Sequence, residues 1–107
     1  MLKIFTDLFS GISASARNDA RVEARRICRR CAIAFELCGE ETFRRLGARA
    51  LAIRDSVADA AKCSDRQFKA VKKTLDELGG ELAQLEIFHG LREKISDIHR
   101  TTPEKDV

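Results

Sequence analysis

The sequence has no tryptophan, no tyrosine and a single proline among its 107 residues. With only six glycines as well, it holds few of the residues that favour strands and tight turns. Alanine, leucine, arginine, lysine and glutamate, all good helix formers, dominate instead. A chain of this length fits one domain, so the composition favours a single all-α domain.

Other absences disfavour whole classes of protein. No apolar run approaches the roughly 18 residues that a membrane-spanning helix needs. Nothing at the start resembles a cleavable secretory signal, because Lys3 is the only basic residue there and Asp7 interrupts the apolar stretch. We therefore expect a cytoplasmic protein with mostly reduced thiols. Membrane contact is disfavoured, because a membrane-surface helix normally has a strongly basic polar face.

Catalytic motifs are also missing. The sequence contains no glycine-rich phosphate loop, no HExxH or GxSxG motif and no carboxylate pair flanked by histidine at di-iron spacing. His89 and His99 are the only histidines, and neither stands in a recognisable catalytic order with a serine or cysteine. These absences predict a protein that is not an enzyme, has no catalytic residues and needs no cofactor.

Apolar residues at three- and four-residue steps predict amphipathic helices in the first half of the chain. Residues 1–14 are predicted to form a short amphipathic arm, with leucine and phenylalanine side chains on one face. A long helix is expected over residues 15–38, and Gly39 provides its stop. A second helix is expected over residues 40–62.

The second half of the chain predicts two more helices. The segment Ser64–Gln67 has the spacing of a capping box, which begins a helix that Gly79–Gly80 is expected to end. The last helix is expected over residues 81–99. Its apolar stripe drifts around the axis near Gly90, which predicts a bend there or two different packing partners.

Short connections between these helices favour antiparallel neighbours. The predicted fold is an all-α, up-and-down helical bundle of about four main helices with a short amphipathic N-terminal helix. Its predicted organisation is an N-terminal arm over residues 1–14, a helical bundle domain over residues 15–100 and a disordered tail over residues 101–107.

The long first helix carries apolar residues on two sides. Val22, Ile33 and Leu37 lie roughly opposite its main apolar face. A helix that is apolar on two sides is either deeply buried or shared between subunits, and a small chain has little interior to bury it in. This pattern favours a homodimer, with these three residues and with Phe5 and Phe9 of the arm at the interface.

Six arginines cluster on the same helix, beside its apolar face. They recur every four residues or lie next to that series: Arg17, Arg21, Arg25, Arg29, Arg26 and Arg30. Like charges at this spacing repel by a few tenths of a kcal/mol per pair, which a partner would relieve. An acidic protein surface and nucleic-acid phosphates are candidate partners, and a solvated face is the third interpretation. The net charge of +3 is mild for a dedicated nucleic-acid binder.

The four cysteines, at positions 28, 31, 38 and 63, admit three interpretations. A zinc site would bring three or four thiolates together. A redox pair is disfavoured, because the CxxC spacing lies inside a helix rather than at its N-terminus. The preferred interpretation places Cys28, Cys31 and Cys38 in the core as small apolar side chains, with no metal bound.

These patterns together predict a non-enzymatic protein–protein interaction protein, such as a small regulator, inhibitor or adaptor. It is expected to act as a helical-bundle homodimer and to bind another protein, for which an acidic surface is one option. The first alternative is a nucleic-acid-binding regulator that uses the stripe Arg17–Arg30, and the second is a cysteine-ligated metal-binding helical protein. The fold alone would support many roles.

Overall fold

The computed structural model describes residues 12–101, where every regular element is an α-helix. This finding confirms the all-α prediction. The four helices are α1 (Ala14–Cys38), α2 (Glu41–Ser56), α3 (Asp65–Phe88) and α4 (Arg92–Thr101). The predicted helix of the N-terminal arm and almost all of the predicted C-terminal tail lie outside the described residues.

Both ends of α1 lie where the local sequence predicts them. The Ser13 hydroxyl accepts a hydrogen bond from the Ala16 amide at 3.0 Å and caps the first turn. At the other end Gly39 has a φ of 71°, a left-handed conformation that other residues resist. Its amide donates to the Phe35 carbonyl at 2.7 Å. Only Gly39 and Glu40 separate α1 from α2, so the chain reverses within a short connection.

The predicted end of the second helix is wrong, because α2 stops six residues earlier, at Ser56. In a continued helix the amide of Ala61 would donate to the carbonyl of Val57. Instead the Arg17 guanidinium donates to that carbonyl at 2.8 Å, and the Ala61 amide donates to the Asp59 carboxylate at 2.9 Å. Both groups of that helical hydrogen bond are therefore satisfied elsewhere, and the chain turns before α3.

The start of α3 confirms the predicted capping box, whose hydrogen bonds between Ser64 and Gln67 measure 2.8 and 3.2 Å. The predicted stop at Gly79–Gly80 is wrong, because α3 continues through both glycines to Phe88. The leucines before and after the glycine pair are fully buried on one face. Their burial outweighs the roughly 1 kcal/mol that each glycine costs a helix interior relative to alanine.

The helix ends in a Schellman motif around Gly90, which has a φ of 66°. The Leu91 amide donates to the Glu86 carbonyl at 2.8 Å, and the Gly90 amide donates to the Ile87 carbonyl at 3.0 Å. The change of direction predicted near Gly90 is therefore a full helix end. The last predicted helix is divided between the end of α3 and the start of α4 at Arg92.

Helix α1 contacts all three other helices and lies at the centre of the fold. Its most extensive contact is with α2. Cys31 near the end of α1 lies against Gly47, whereas Arg17 near its start reaches Val57 just after α2. The two helices therefore run antiparallel.

Helix α3 runs parallel to α1. Arg17 contacts Asp65 at the start of α3, and Arg30 contacts Glu86 near its end. Buried apolar side chains from every helix and both longer connections form the core: Ala20, Ala24, Ile27, Cys31, Ala34, Phe43, Leu46, Ala50, Val57, Cys63, Phe68, Leu75, Leu78, Leu82, Leu91 and Ile95.

Gly80 offers a direct test of the continuous α3. It is exposed in the helix interior, and an added methyl group would meet nothing within 4 Å. We expect Gly80→Ala to raise the free energy of unfolding by about 0.5–1 kcal/mol, because alanine has the higher helix propensity. Gly90→Ala is the control and should lower it by about 1–2 kcal/mol, because Gly90 has a positive φ. Urea denaturation measures both. A destabilising Gly80→Ala would mean that the helix breaks at the glycine pair.

Candidate protein-interaction groove

Arg17, at one end of the predicted arginine stripe, is buried, with only 5% of its surface exposed. Its guanidinium donates to the Val57 carbonyl at 2.8 Å and to the Asp65 carboxylate at 2.9 Å. It also lies 5.5 Å from the ring centroid of Phe68. These contacts join α1 to the end of α2 and the start of α3. Arg17 therefore stabilises the fold rather than presenting its charge to a partner.

Arg30, at the other end of the stripe, forms a two-point ion pair with Glu86 of α3. Its Nε and Nη2 donate to the two carboxylate oxygens at 3.0 and 2.6 Å. Glu86 is 3% exposed, and its hydrogen bond raises the pKa of Arg30 above the ordinary value against the opposing effect of burial. A bidentate arginine suits a buried carboxylate, so Arg30 also serves the fold.

The stripe Arg17–Arg30 is therefore not a row of arginines that all lack partners within the chain, because the arginines at both of its ends are paired. Between those ends, Arg21 donates to the side-chain oxygen of Asn18 at 3.2 Å. Arg25 and Arg29 are half-buried, and Arg26 is exposed. These four residues keep α1 basic along its middle, and their role in binding stays a prediction.

The four cysteines occupy different environments, and all are free thiols. Cys31 is buried, as predicted, and Cys28 is half-buried. Cys38, which was expected in the core, is exposed because it is the last residue of α1, next to the short connection to α2. Cys63 is buried in the turn before α3. Within residues 12–101, no group of three or more His, Cys, Asp or Glu side chains could hold a metal ion.

Burial of Cys31 predicts a loss of stability in alkali. Desolvation raises the pKa of its thiol to about 12, whereas the unfolded chain would ionise near 9. The folded state therefore holds a proton that the unfolded state releases, and the free energy of unfolding should fall as pH rises from about 9 towards 12. Urea denaturation at pH 8 and pH 10 should show a smaller fall in Cys31→Ala than in the wild type. An equal fall in both would contradict the assignment.

The five residues predicted at a homodimer interface divide into three groups. Phe5 and Phe9 lie outside the described residues. Val22 and Ile33 are half-buried, and Ile33 packs against the core of its own chain. Leu37 is 42% exposed and keeps an apolar surface open. The homodimer itself stays a prediction.

An apolar groove of about 700 Å³ lies between α1 and α2. Its α1 wall is formed by residues at four- and three-residue steps, Cys28, Ala32 and Phe35. Its α2 wall is formed by Gly47, Ala48 and Leu51. Ile33 of α1 and Ile98 of α4 add apolar surface to the same groove. Leu51 is 41% exposed, so the groove presents apolar side chains that the fold does not cover.

Small residues create this groove where α1 and α2 approach most closely. A Cβ atom added to Gly47 would lie 3.1 Å from the Cβ of Cys31, and the Cys28 thiol donates to the Gly47 carbonyl at 3.6 Å. Ala32 and Ala48 are exposed and too short to fill the space above this contact. Close backbones and short side chains therefore leave room for the side chains of another helix.

Positive charge is concentrated on the two helices that form the groove. Residues 14–56 contain ten arginines and no lysine against six acidic residues, a net charge of +4. Residues 57–101 balance eight basic with eight acidic residues. Arg29, Glu36 and Arg44 lie along the groove itself, and Arg44 forms a surface ion pair with Glu41. Arg17 and Arg30 pair with Asp65 and Glu86 of α3, which leaves eight arginines against six acidic residues in this range. This excess of two positive charges favours a negatively charged ligand.

Sequence reasoning missed the α2 wall of the groove. The second helix has apolar residues at three- and four-residue steps, and this series includes Phe43, Leu46 and Ala50, which are buried, but not Leu51. An exposed leucine beside such a series was the available signal. The close approach at Gly47 left no signal, because it depends on how α1 and α2 cross.

Comparison of the chain with protein-family models, with curated proteins and with solved structures finds no match. None of the four described helices is both long and apolar enough to cross a membrane. The groove and the charge around it are therefore the features that support a function.

Proposed function

We propose that this chain is a non-enzymatic protein-interaction protein, built as an up-and-down helical bundle, whose groove between α1 and α2 binds an amphipathic helix of an acidic partner protein. The observation that carries the proposal is the open apolar groove of about 700 Å³ with the exposed Leu51 on its wall. In helix-in-groove binding, apolar side chains at positions i, i+3, i+4 and i+7 of the ligand enter such a surface.

The dimensions of the groove fit about two turns of helix. From Cys28 to Phe35 its α1 wall rises by about 10 Å, a length over which an amphipathic ligand places three or four apolar side chains. The volume lies in the range of ordinary ligand pockets.

The charge distribution favours an acidic partner helix. Residues 14–56 have a net charge of +4 because their arginines outnumber their acidic residues and they contain no lysine. Complementary charge speeds association and selects between partners that have similar apolar faces. Because these charges lie near the surface, the affinity should fall moderately as salt is added.

A synthetic helical peptide tests this proposal. The probe has about four turns, roughly 14 residues, with leucines on one face and glutamates on the others. We expect micromolar binding in a fluorescence anisotropy titration, and about tenfold weaker binding when lysines replace the glutamates or when the leucines are spread around the helix.

Two variants of α2 provide the matched pair. Ala48→Glu fills the groove and adds negative charge, whereas Ala52→Glu adds the same charge at an exposed position outside the groove lining. We expect Ala48→Glu to weaken peptide binding at least tenfold and Ala52→Glu to change it less than threefold. Equal effects would overturn the proposal. Tighter binding to duplex DNA or RNA than to the peptide, with a steep loss of affinity in salt, would support the nucleic-acid alternative instead.

A further inference from the structure

The segment that precedes the described residues has the pattern of a groove-binding helix. Its apolar side chains recur at three- and four-residue steps: Leu2, Phe5, Leu8 and Phe9. Polar residues occupy most of the other positions, including Lys3, Thr6, Asp7 and Ser10. This spacing is the one that helix-in-groove recognition uses. The chain therefore carries its own candidate ligand for the groove between α1 and α2.

The position of the groove decides which copy of the chain such a helix reaches. The α1 wall begins at Cys28, about 21 Å along the axis from Ala14. A helix of residues 1–11 is only about 16 Å long, so one folded back along its own α1 would end level with about residue 25. It stops before the groove of its own chain begins. A second copy is under no such restriction.

We infer that residues 1–11 of one copy occupy the groove between α1 and α2 of a second copy, so that the chain forms a homodimer by reciprocal exchange of N-terminal helices. This inference rests on the proposed function, because it assigns a regulator to the same groove. Reciprocal exchange is self-complementary and closes at two copies. Exchange also places both predicted interface residues of the arm, Phe5 and Phe9, against the groove, which Ile33 helps to line.

The area available in this exchange meets the requirement of a stable dimer. Each buried phenylalanine contributes roughly 150–250 Å², and the two arms together contribute four from positions 5 and 9. With the leucines and the opposing groove surface, the total reaches the roughly 1,200 Å² that specific interfaces bury.

The difference in charge between the arm and an acidic partner helix allows the partner to displace the exchanged arm from the groove. The segment 1–11 has one basic and one acidic residue and no net charge, so it gains nothing from the net charge of +4 on residues 14–56. An acidic helix gains both the apolar contact and the charge complementarity. The exchanged arm therefore acts as a weaker competitor, and partner binding converts the dimer into partner-bound monomers.

Sedimentation velocity on the full chain tests the exchange. The wild type should sediment at twice its mass of 12.0 kDa. The double variant Phe5→Ser/Phe9→Ser, which has a defective arm, and Ala48→Glu, which has a blocked groove, should each sediment as monomers. The controls Thr6→Ala/Asp7→Ala and Ala52→Glu should remain dimers, and circular dichroism should show that the described bundle stays folded in all four variants.

Mixing the two monomeric variants distinguishes a dimer formed by arm exchange from a dimer formed through any other surface. The intact arm of Ala48→Glu fits the intact groove of Phe5→Ser/Phe9→Ser, so a 1:1 mixture should recover a dimer with about one functional contact in place of two. A wild type that stays monomeric, a mixture that stays monomeric, or a dimer that survives both variants would overturn the inference.

The acidic peptide probe distinguishes this inference from the proposed function. Phe5→Ser/Phe9→Ser has an empty groove and should bind the peptide at least as tightly as the wild type. Peptide binding to that variant together with a monomeric wild type would refute the exchange and leave the function intact. A wild-type dimer that passes the mixing test but never binds the peptide would refute the function and leave the exchange intact.

Discussion

Replacing Arg30 by alanine is expected to lower the free energy of unfolding by about 3 kcal/mol at neutral pH. The change leaves Glu86, which is 3% exposed, as a buried carboxylate without its two-point partner. Urea denaturation at pH 7 measures the change.

The partner substitutions control this prediction. Glu86→Leu should cost less, about 1 kcal/mol, because the Arg30 side chain is 30% exposed and reaches water. The double variant Arg30→Met/Glu86→Leu should lie within about 1 kcal/mol of the wild type, since apolar pairs often replace buried ion pairs without loss. If the two single effects simply added in the double variant, the ion pair would contribute no coupling.

Replacing Arg17 by alanine is expected to lower the free energy of unfolding by about 2–3 kcal/mol. Arg17 is buried, and its removal leaves the Val57 carbonyl without its donor and Asp65 without its ion-pair partner. The contact with the ring of Phe68 is also lost. Thermal and urea unfolding measure the change.

Two variants show whether the geometry of Arg17 matters beyond its charge. Arg17→Lys should recover less than half of the loss, because one ammonium cannot reproduce the forked contact to two acceptors. Arg45→Ala removes an exposed arginine from α2 and should change stability by less than about 0.5 kcal/mol. Equal losses in Arg17→Ala and Arg45→Ala would show that Arg17 acts only as surface charge.

Local sequence signals predict the helix ends that depend on local chemistry. The left-handed Gly39 and the capping box at Ser64–Gln67 are set by residues within one turn, and both predictions are confirmed. The end of α2 depends instead on Arg17, forty residues before Val57 in the chain. The passage of α3 through Gly79–Gly80 likewise depends on burial against α1, where a Cβ atom added to Gly79 would lie 3.8 Å from Ile27. Contacts between distant residues therefore override local propensity at both places.

The candidate site was only partly predictable for the same reason. Periodicity identifies α1 as basic and apolar on two sides, and it places Leu37, which is exposed in the structure, opposite the main apolar face. It cannot show that Arg30 pairs with Glu86, fifty-six residues later. Nor does it locate the groove, which requires the crossing of α1 and α2 at Gly47.

The central claim, that the groove between α1 and α2 is the binding surface, is tested most directly by nuclear magnetic resonance. Backbone amide shifts of the Phe5→Ser/Phe9→Ser variant are recorded during titration with the acidic helical peptide. We expect the largest changes in amide chemical shift at Ala32, Phe35, Ala48 and Leu51. Shifts confined to Arg21–Arg26 or to the exposed face of α3, with the groove residues unchanged, would contradict it.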